Sequence, residues 1–194
     1  GTGLRNINSD NAFERGLKKA GLSLKMPDDE EQARDMVRSR AKATTSNMQD
    51  LAIMGRLGLV IDGTGRDYDK ISYQNAMLKE LGYDTYMVFV NTSLDVALER
   101  NAKRDRTVPE YITKKSWTDV QSNIGKFQNL FGPSNMIIID NSKSEQELVN
   151  VVMAKVGKAV SSLLRKPIKS YTAKRWMASE RRAKRKKWGS NSFY

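Results

Sequence analysis

The sequence predicts an α/β protein built on a doubly wound parallel sheet. Short apolar runs rich in β-branched residues alternate along the chain with longer helical stretches, an order that favours parallel strands joined by crossover helices. The run from Thr85 to Val90 is too continuous in its apolarity for a half-exposed strand, which is typical of a parallel sheet covered on both faces. The 194 residues are enough for one domain with a sizeable core.

Four strands and six helical regions follow from this alternation. The predicted strands cover residues 4–8, 57–61, 85–90 and 136–140. The predicted helical regions cover residues 11–20, 28–54, 68–81, 92–106, 109–130 (as one or two helices) and 144–164. After Pro167 we expect a basic, helical C-terminal extension.

Local signals support the elements of the first half. The first helix has Phe13 and Leu17 at i, i+4, with Ser9 or Asp10 as its N-cap and Gly21 at its end. The second helical region is long and rather polar. The strand that follows it is short, β-branched and predicted to be buried.

Similar signals support the elements of the second half. The third helix places Ile71, Leu78 and Leu81 on its inner side and ends at Gly82. The next strand runs into Thr92–Asp95, which fits the capping-box pattern and opens the fourth helix. The fifth helical region ends at a Phe-Gly-Pro turn, and an apolar run of Met and Ile that ends in Asp forms the last strand.

The composition excludes several kinds of chemistry. The chain has no Cys and no His, so disulfides, thiolate sites, zinc sites, Ser-His-Asp triads and histidine bases are excluded. Carboxylates, Lys, Arg, hydroxyls and bound cations remain. There is no run of 18 apolar residues and no signal segment, so we expect a soluble, cytoplasmic protein with no membrane partner.

The positive charge is concentrated at the C-terminal end. Of the net charge of +12, most lies between Arg165 and Trp188, where eleven Lys and Arg face a single acid, Glu180. The body is nearly neutral. The isoelectric point of about 9.9 therefore describes the tail and not the fold.

A strand that delivers a carboxylate to a glycine-rich turn is the most informative motif. Residues 57–66 read LGLVIDGTGR, so a short strand ends in Asp62 and the turn adds Thr64 and Arg66. Such a carboxylate can hold Mg²⁺, and the turn can place N–H groups and a cation beside phosphate oxygens. The alternative is a parallel strand followed by an ordinary loop.

Three arginines at the end of the fourth helix form a candidate lid. Arg100, Arg104 and Arg106 could close over a transferred phosphoryl group and stabilise its spread charge. The alternative is a solvated basic helix end that interacts favourably with the helix dipole.

Polar residues also follow the first strand. Asn8, Ser9 and Asp10 stand at its carboxyl end, where open α/β sheets bind ligands. Asp10 could accept the proton of a substrate hydroxyl, or it could simply cap the next helix.

Together these segments resemble the zeta-toxin-like branch of P-loop kinases, and more closely the kinase-like proteins of that type carried by tailed bacteriophages. The resemblance covers about residues 3–142. The resemblance rests on four segments. They are the polar residues 8–10, the Walker-B-like strand and turn at 59–64, the strand end at 88–92 with the arginine-bearing helix after it, and the strand end at 138–141.

The resemblance implies a three-layer α/β/α kinase that uses ATP and Mg²⁺. If the protein is phage-encoded, it would act in the host cytoplasm. The implied roles are a general base for Asp10, a metal-side carboxylate for Asp62, lid cations for Arg104 and Arg106, substrate contacts for Asn8, Ser9, Thr64 and Arg66, and positions on the ATP side for Arg100 and Asn141.

The sequence departs from that family in one large respect. No G-x-x-x-x-G-K-[ST] phosphate loop occurs: Gly125-Lys126 is followed by Phe127, and Gly157-Lys158 by Ala159. We expect the missing strand, loop and helix to precede Gly1, so that the chain is an N-terminally truncated kinase. The resemblance places that strand between the strands at 57–61 and 85–90, so its loss would expose two inner edges, impair folding and prevent tight ATP binding.

The tail suggests a second kind of partner. Tyr171, Trp176 and Trp188 are interleaved with Lys and Arg, a pattern that suits nucleic acid along residues 166–188. The alternatives are a disordered solubilising end, or a helix packed against the body by Trp176 and Met177.

Two functions remain open from the sequence. The first is a kinase, with its domain over residues 1–165, a lid at about 100–131 and a tail over 166–194. It would transfer the γ-phosphoryl group of ATP to a hydroxyl of a small molecule, a nucleotide or a nucleic-acid end, and this chain alone would be inactive. The second is a non-catalytic kinase-fold scaffold or virion protein that binds nucleic acid through its tail. The sequence does not indicate an oligomeric state.

Overall fold

A computed structural model describes residues 3–143 and 146–189, apart from the side chains of 146–149 and 187–189. In chain order the elements are β1 (Arg5–Ile7), α1 (Asp10–Lys19), a 3₁₀ turn (Asp28–Glu30), α2 (Glu31–Met54), β2 (Leu59–Ile61), α3 (Tyr68–Glu80), β3 (Met87–Asn91), α4 (Leu94–Lys103), α5 (Glu110–Phe131), β4 (Met136–Asp140), α6 (Gln146–Leu164) and α7 (Tyr171–Gly189).

The chain divides into two compact units. The first contains the described residues up to Thr64 together with Leu94–Thr118. The second contains Gly65–Ser93 and the described residues from Asp119 onward. Helix α5 therefore begins in the first unit and ends in the second.

A pair of parallel strands organises the first unit. β1 pairs with β2 in the register Arg5↔Leu59 and Ile7↔Ile61. The ladder continues at its end, where the Asp62 amide donates to the Ile7 carbonyl at 3.1 Å. Ile7 is buried, and the residues after Ile7 and Ile61 emerge together at the carboxyl edge.

The core of the first unit lies where α1 packs on α2. Leu17 is fully buried there beside Phe13, Met26 and Ala41. Gly16 permits the close approach of the two helices, because a Cβ at that position would lie 2.5 Å from Val37 Cγ1. The packing of the apolar side of α1 on α2 therefore fixes α1, the helix that begins at Asp10.

The second unit is built on the other parallel pair. β3 and β4 pair from Met87↔Met136 to Asn91↔Asp140, and α6 packs on both strands. Its core consists of Phe89, Phe127 and Met136. The apolar residues of α5 in this core recur at helical spacing and include Val120, Ile124, Phe127 and Phe131.

These elements confirm an α/β protein that is mostly helical and has short parallel strands. All four predicted strands are present, and the helical region predicted over 109–130 corresponds to one helix, α5. Among the described strands, ladders join only β1 to β2 and β3 to β4. The three-layer sheet and the domain boundary at 165 stay predictions.

Some predicted details were wrong. β2 is not buried, since Val60 is 45% and Ile61 37% exposed, because each strand has a single ladder partner among the described strands. Leu81 lies at the end of α3 and is 41% exposed. Ser9 occupies the N-cap position of α1, as predicted, but its side chain makes no cap hydrogen bond, and the Asn8 side chain accepts from the Asp10 amide.

Helix α4 ends at Lys103 and not at the predicted Arg106. The Asn101 side chain donates to the Val108 carbonyl at 2.7 Å and accepts from the Val108 amide at 3.0 Å. These bonds close a loop over residues 101–108, which turns the chain out of the helix before Arg104 and Arg106.

Two predictions concern the limits of the described residues. The predicted start of the last body helix at Ser144 and the Trp188 side chain lie outside what the structure describes.

None of the helices, within the described part of the chain, is long and apolar enough to cross a membrane.

Candidate functional site

The side-chain amide of Asn8 joins two carboxylate-bearing residues in the first unit. Its Nδ2 donates to Asp62 Oδ2 at 2.6 Å, and its Oδ1 accepts from the Asp10 amide at 2.6 Å. The parallel register of β1 and β2 explains this arrangement, because Asn8 and Asp62 each follow one member of the pair Ile7↔Ile61. The carboxyl edge of this sheet therefore presents Asp62 and the start of α1 side by side.

Arg106 faces the same part of α1. Its Nη2 lies 3.3 Å from Asp10 Oδ1, and its Nε donates to Glu14 Oε1 at 3.1 Å. Asp10 and Glu14 are four residues apart and share one face of α1. The guanidinium carbon also lies 5.7 Å from the centroid of the Phe13 ring, within the range of a cation–π contact.

Burial differs among these groups. The Arg106 side chain is only 20% exposed, whereas that of Asp10 is 60% exposed. The cation is therefore held in a fixed place, while the Asp10 carboxylate stays accessible to a ligand. An accessible carboxylate beside a fixed guanidinium can accept a proton and can also orient a hydroxyl.

The loop that carries Arg106 is fastened at several points. Besides the two bonds between Asn101 and Val108, Lys25 Nζ donates to the Arg104 carbonyl at 3.2 Å. Val108 packs against the core around Phe13. These contacts hold the backbone on both sides of Arg106.

The residues of this cluster fit Mg²⁺ only as partial ligands. No group of three or more acidic, His or Cys side chains that could hold a metal occurs among the residues the structure describes. Asp62 is exposed and keeps oxygen lone pairs beyond the one that accepts from Asn8. Because Mg²⁺ is commonly bound by one or two carboxylates together with phosphate oxygens and water, Asp62 fits that role.

In the second unit, α5 anchors the turn that contains Arg66. The buried Asn123 side chain donates to the carbonyls of Gly65 at 3.2 Å and Arg66 at 2.9 Å. Gly65 has a φ of +77° and lies against Phe127, where a side chain would be strained. The turn is thus fixed by its backbone, while the Arg66 side chain is exposed.

The carboxyl ends of β3 and β4 form a second polar edge. The Asn141 amide donates to the Asn91 carbonyl at 2.7 Å, and Gln121 Nε2 donates to Asn91 Oδ1 at 2.8 Å. The hydroxyl and the amide of Ser142 donate to Asp140, and these bonds lower the pKa of that carboxyl. The same hydroxyl accepts from the Ser93 amide at 3.0 Å.

The predicted site residues fall into both units. The first unit brings together Asn8, Asp10, Asp62 and Arg106, with Ser9 at the start of α1. Three others of the first unit are Arg100 in α4, the exposed Arg104 and the exposed Thr64. The second unit contains Arg66 and Asn141. The roles predicted for all of these residues stay predictions.

Four further residues hold polar groups within one unit or the other and were missed in the sequence. They are Glu14, Asn101, Gln121 and Asn123. Asn123 could have been found, because it is a polar residue on the apolar face that includes Val120 and Phe127. Glu14 follows Asp10 at i+4 and is a weaker signal. No local pattern indicates the partners of Asn101 and Gln121.

Comparison with known protein families gives a match over most of the chain. The family model described as Zeta toxin matches residues 4–150, a range that includes every predicted site residue. No curated protein matches the chain. No solved structure matches it either.

Proposed function

The chain belongs to the Zeta toxin family, a family of P-loop kinase-like proteins, and we propose that it carries the acceptor side and the metal-side carboxylate of an ATP-dependent phosphotransferase. One observation supports this proposal most strongly. Asn8, Asp10, Asp62 and Arg106 converge at one sheet edge, where Asn8 bonds to both acidic residues and Arg106 pairs with Asp10.

The proposed reaction transfers the γ-phosphoryl group of ATP to a hydroxyl. The hydroxyl oxygen forms a bond to the γ-phosphorus, its proton passes to the Asp10 carboxylate, and the bond from the γ-phosphorus to the bridging oxygen breaks to release ADP. Arg106 counters negative charge beside the acceptor. Asp10 is suited to the role of base because it is 60% exposed and anchored by its own backbone amide.

Asp62 would be the metal-side carboxylate. Mg²⁺, when bound, neutralises charge on the phosphate oxygens. Asn8 would hold the Asp62 carboxylate at the sheet edge by the hydrogen bond from its Nδ2. Its Oδ1 accepts from the Asp10 amide, so both bonds together fix the orientation of the Asn8 amide group.

The remaining predicted residues receive supporting roles in this proposal. Thr64 and Arg66 would contact the acceptor or its phosphate, Arg104 would join Arg106 in the lid, and Arg100 and Asn141 would lie on the ATP side. The acceptor would be a small molecule, a nucleotide or a nucleic-acid end. The proposed location is the cytoplasm, where ATP is available to such a reaction.

The triphosphate cradle is missing from these residues. The 194 residues contain no G-x-x-x-x-G-K-[ST] loop, so residues outside this sequence would have to supply it. We propose that this chain alone does not turn over ATP. A non-catalytic scaffold is the alternative that the missing loop favours.

The test uses the protein expressed from the complete open reading frame that contains these 194 residues. We expect Mg²⁺-dependent transfer of the γ-phosphoryl group, measured with labelled ATP. Asp62→Asn should raise the Mg²⁺ concentration that gives half-maximal activity, because it removes a metal-side charge. Asp50→Asn, which changes an exposed carboxylate on α2, is the matched control and should leave that concentration unchanged.

Two results would contradict the proposal. One is an Asp62→Asn variant with the same Mg²⁺ dependence as Asp50→Asn. The other is a protein from that reading frame that carries a phosphate loop but neither hydrolyses ATP nor transfers its phosphate, a result that would favour the scaffold.

A further inference from the structure

The start of helix α7 is fixed to the body of the second unit. The Lys169 amide donates to Asp84 Oδ2 at 2.7 Å just before the helix. Ser170 accepts from the Ala173 amide with its hydroxyl and from the Lys174 amide with its carbonyl, which caps the first turn. Gly82 permits the close approach of the first turn of α7, since a Cβ on Gly82 would lie 3.2 Å from the Ala173 nitrogen.

The two sides of α7 differ in burial and in charge. Ala173, Trp176 and Met177 are half-buried and lie on one side of the helix at i, i+3 and i+4. The other side carries exposed cations that fall within about 140° of the circumference at 3.6 residues per turn. This basic face consists of Lys174, Arg175, Arg181, Arg182, Arg185 and Lys186.

Like charges are neighbours along the basic face. Arg181 and Arg185 are four residues apart, as are Arg182 and Lys186, and such pairs repel one another on a helix. Glu180 is the single acid within α7. A bound polyanion would relieve this repulsion, so the charge pattern favours an anionic partner.

An exposed aromatic ring stands at one end of the basic face. Tyr171 is 73% exposed, and the guanidinium carbon of Arg175 lies 5.7 Å from the centroid of its ring. A ring backed by a guanidinium is a surface on which a base or sugar can pack.

We propose that the basic face of α7 binds the phosphate backbone of duplex nucleic acid without regard to base sequence. From Lys174 to Lys186 the face is about 18 Å long at 1.5 Å per residue. A helix fits the major groove of a duplex, and six cations can neutralise phosphates on both of its walls.

A lipid surface fits this helix less well. A helix that lies in a membrane interface needs a broad apolar side opposite its charges. In α7 the apolar residues are half-buried in the first two turns, and the described side chains from Ala178 to Lys186 are exposed without a large apolar residue among them.

The test measures binding of the full chain to a fluorescent DNA duplex of about 20 base pairs, at salt concentrations from about 50 mM to about 200 mM. The variant Arg181→Gln/Arg182→Gln/Arg185→Gln should bind at least about tenfold more weakly. The slope of log affinity against log salt should be less steep by about 2.7, since each of three phosphates that the variant no longer neutralises contributes about 0.9.

Two control variants separate charge at this face from net charge. Lys18→Gln/Arg40→Gln/Lys42→Gln removes three exposed cations of the first unit and should bind like the unchanged chain. Arg181→Lys/Arg182→Lys/Arg185→Lys keeps the charge and should retain most of the affinity. Circular dichroism should show the same helix content in all of them.

Three outcomes would overturn the proposal. They are no binding of the unchanged chain at the lowest salt, equal weakening in the Gln variant of α7 and in the first-unit variant, and tighter binding to vesicles that contain phosphatidylserine than to the duplex. Each can be distinguished from failure of the proposed kinase, because none of these measurements depends on ATP.

Discussion

At the scale of single residues, Asn8 is the structural centre of the candidate site. Its amide uses a donor for Asp62 and its acceptor for the Asp10 backbone. The short planar side chain of Asn provides this donor and this acceptor on one group. An aspartate at this position would instead repel Asp62.

Replacement of Asn8 should therefore weaken the fold at this edge. We expect Asn8→Ala to lower the free energy of unfolding by about 1 kcal/mol, the usual net value of such hydrogen bonds. Urea denaturation measures the change. Asn6→Ala, an exposed position of β1, is the matched control, and equal effects of the two substitutions would show that the Asn8 bonds do not contribute.

A second residue-scale prediction concerns Asp140. The Ser142 hydroxyl and amide lower the pKa of this carboxyl below its ordinary value of 3.8. Because the pKa is lower in the folded chain, ionised Asp140 favours folding above that value, and the contribution is lost as the pH falls through the lowered pKa.

The substitution Ser142→Ala should return the Asp140 pKa toward its ordinary value. Removal of the hydroxyl donor takes away the largest cause of the lowered pKa and leaves the backbone bond and the charges of Lys143 and Lys155 to favour the charged form. NMR titration of the carboxyl carbon measures the shift, with Ser46→Ala, an exposed position of α2, as the control. An Asp140 pKa that does not rise would show that this hydroxyl has no such effect.

At the scale of elements, α5 both fills a core and fixes the turn that contains Gly65 and Arg66. Asn123→Ala should lower the free energy of unfolding by about 2 kcal/mol, because the carbonyls of Gly65 and Arg66 lose their partner. Asn129→Ala changes an exposed asparagine of the same helix and should have little effect. Thermal unfolding of the two variants at the same midpoint would contradict the anchoring role of Asn123.

The predictable elements are those whose signals are local. The strands β2, β3 and β4 follow from β-branched runs, and α1 follows from Phe13 and Leu17 at helical spacing, both of which are buried. The end of α4 could not be predicted, because it depends on the loop that Asn101 closes with Val108. The pairing of Arg106 with Asp10 joins residues far apart in the chain and has no local signature.

At the scale of the whole molecule, both sheets expose apolar strand residues. Val60 and Val90 are each 45% exposed, and Ile138 is 44% exposed. A two-stranded sheet is marginally stable by itself, and apolar strands that lack a second neighbour promote association. We predicted buried strands from the sequence. Burial of these side chains would require a second neighbouring strand, which is absent among the described strands.

Charge at the exposed strand positions should therefore reduce aggregation. We expect Val60→Lys/Val90→Lys to lower light scattering on mild heating. Val151→Lys, at a 49% exposed position of α6, should change it little. If the α6 variant suppresses scattering as much as the strand variant, net charge and not the strand surface governs association.

The most direct test of the account is the rate of phosphoryl transfer after removal of the Asp10 carboxylate. In the protein expressed from the complete open reading frame that contains these residues, Asp10→Asn should reduce kcat by at least about 10²-fold, the usual contribution of a general base. The control Asp50→Asn should keep the original rate, and both variants should show the original circular dichroism. An Asp10→Asn enzyme as fast as Asp50→Asn would contradict the assignment of this cluster as the catalytic centre.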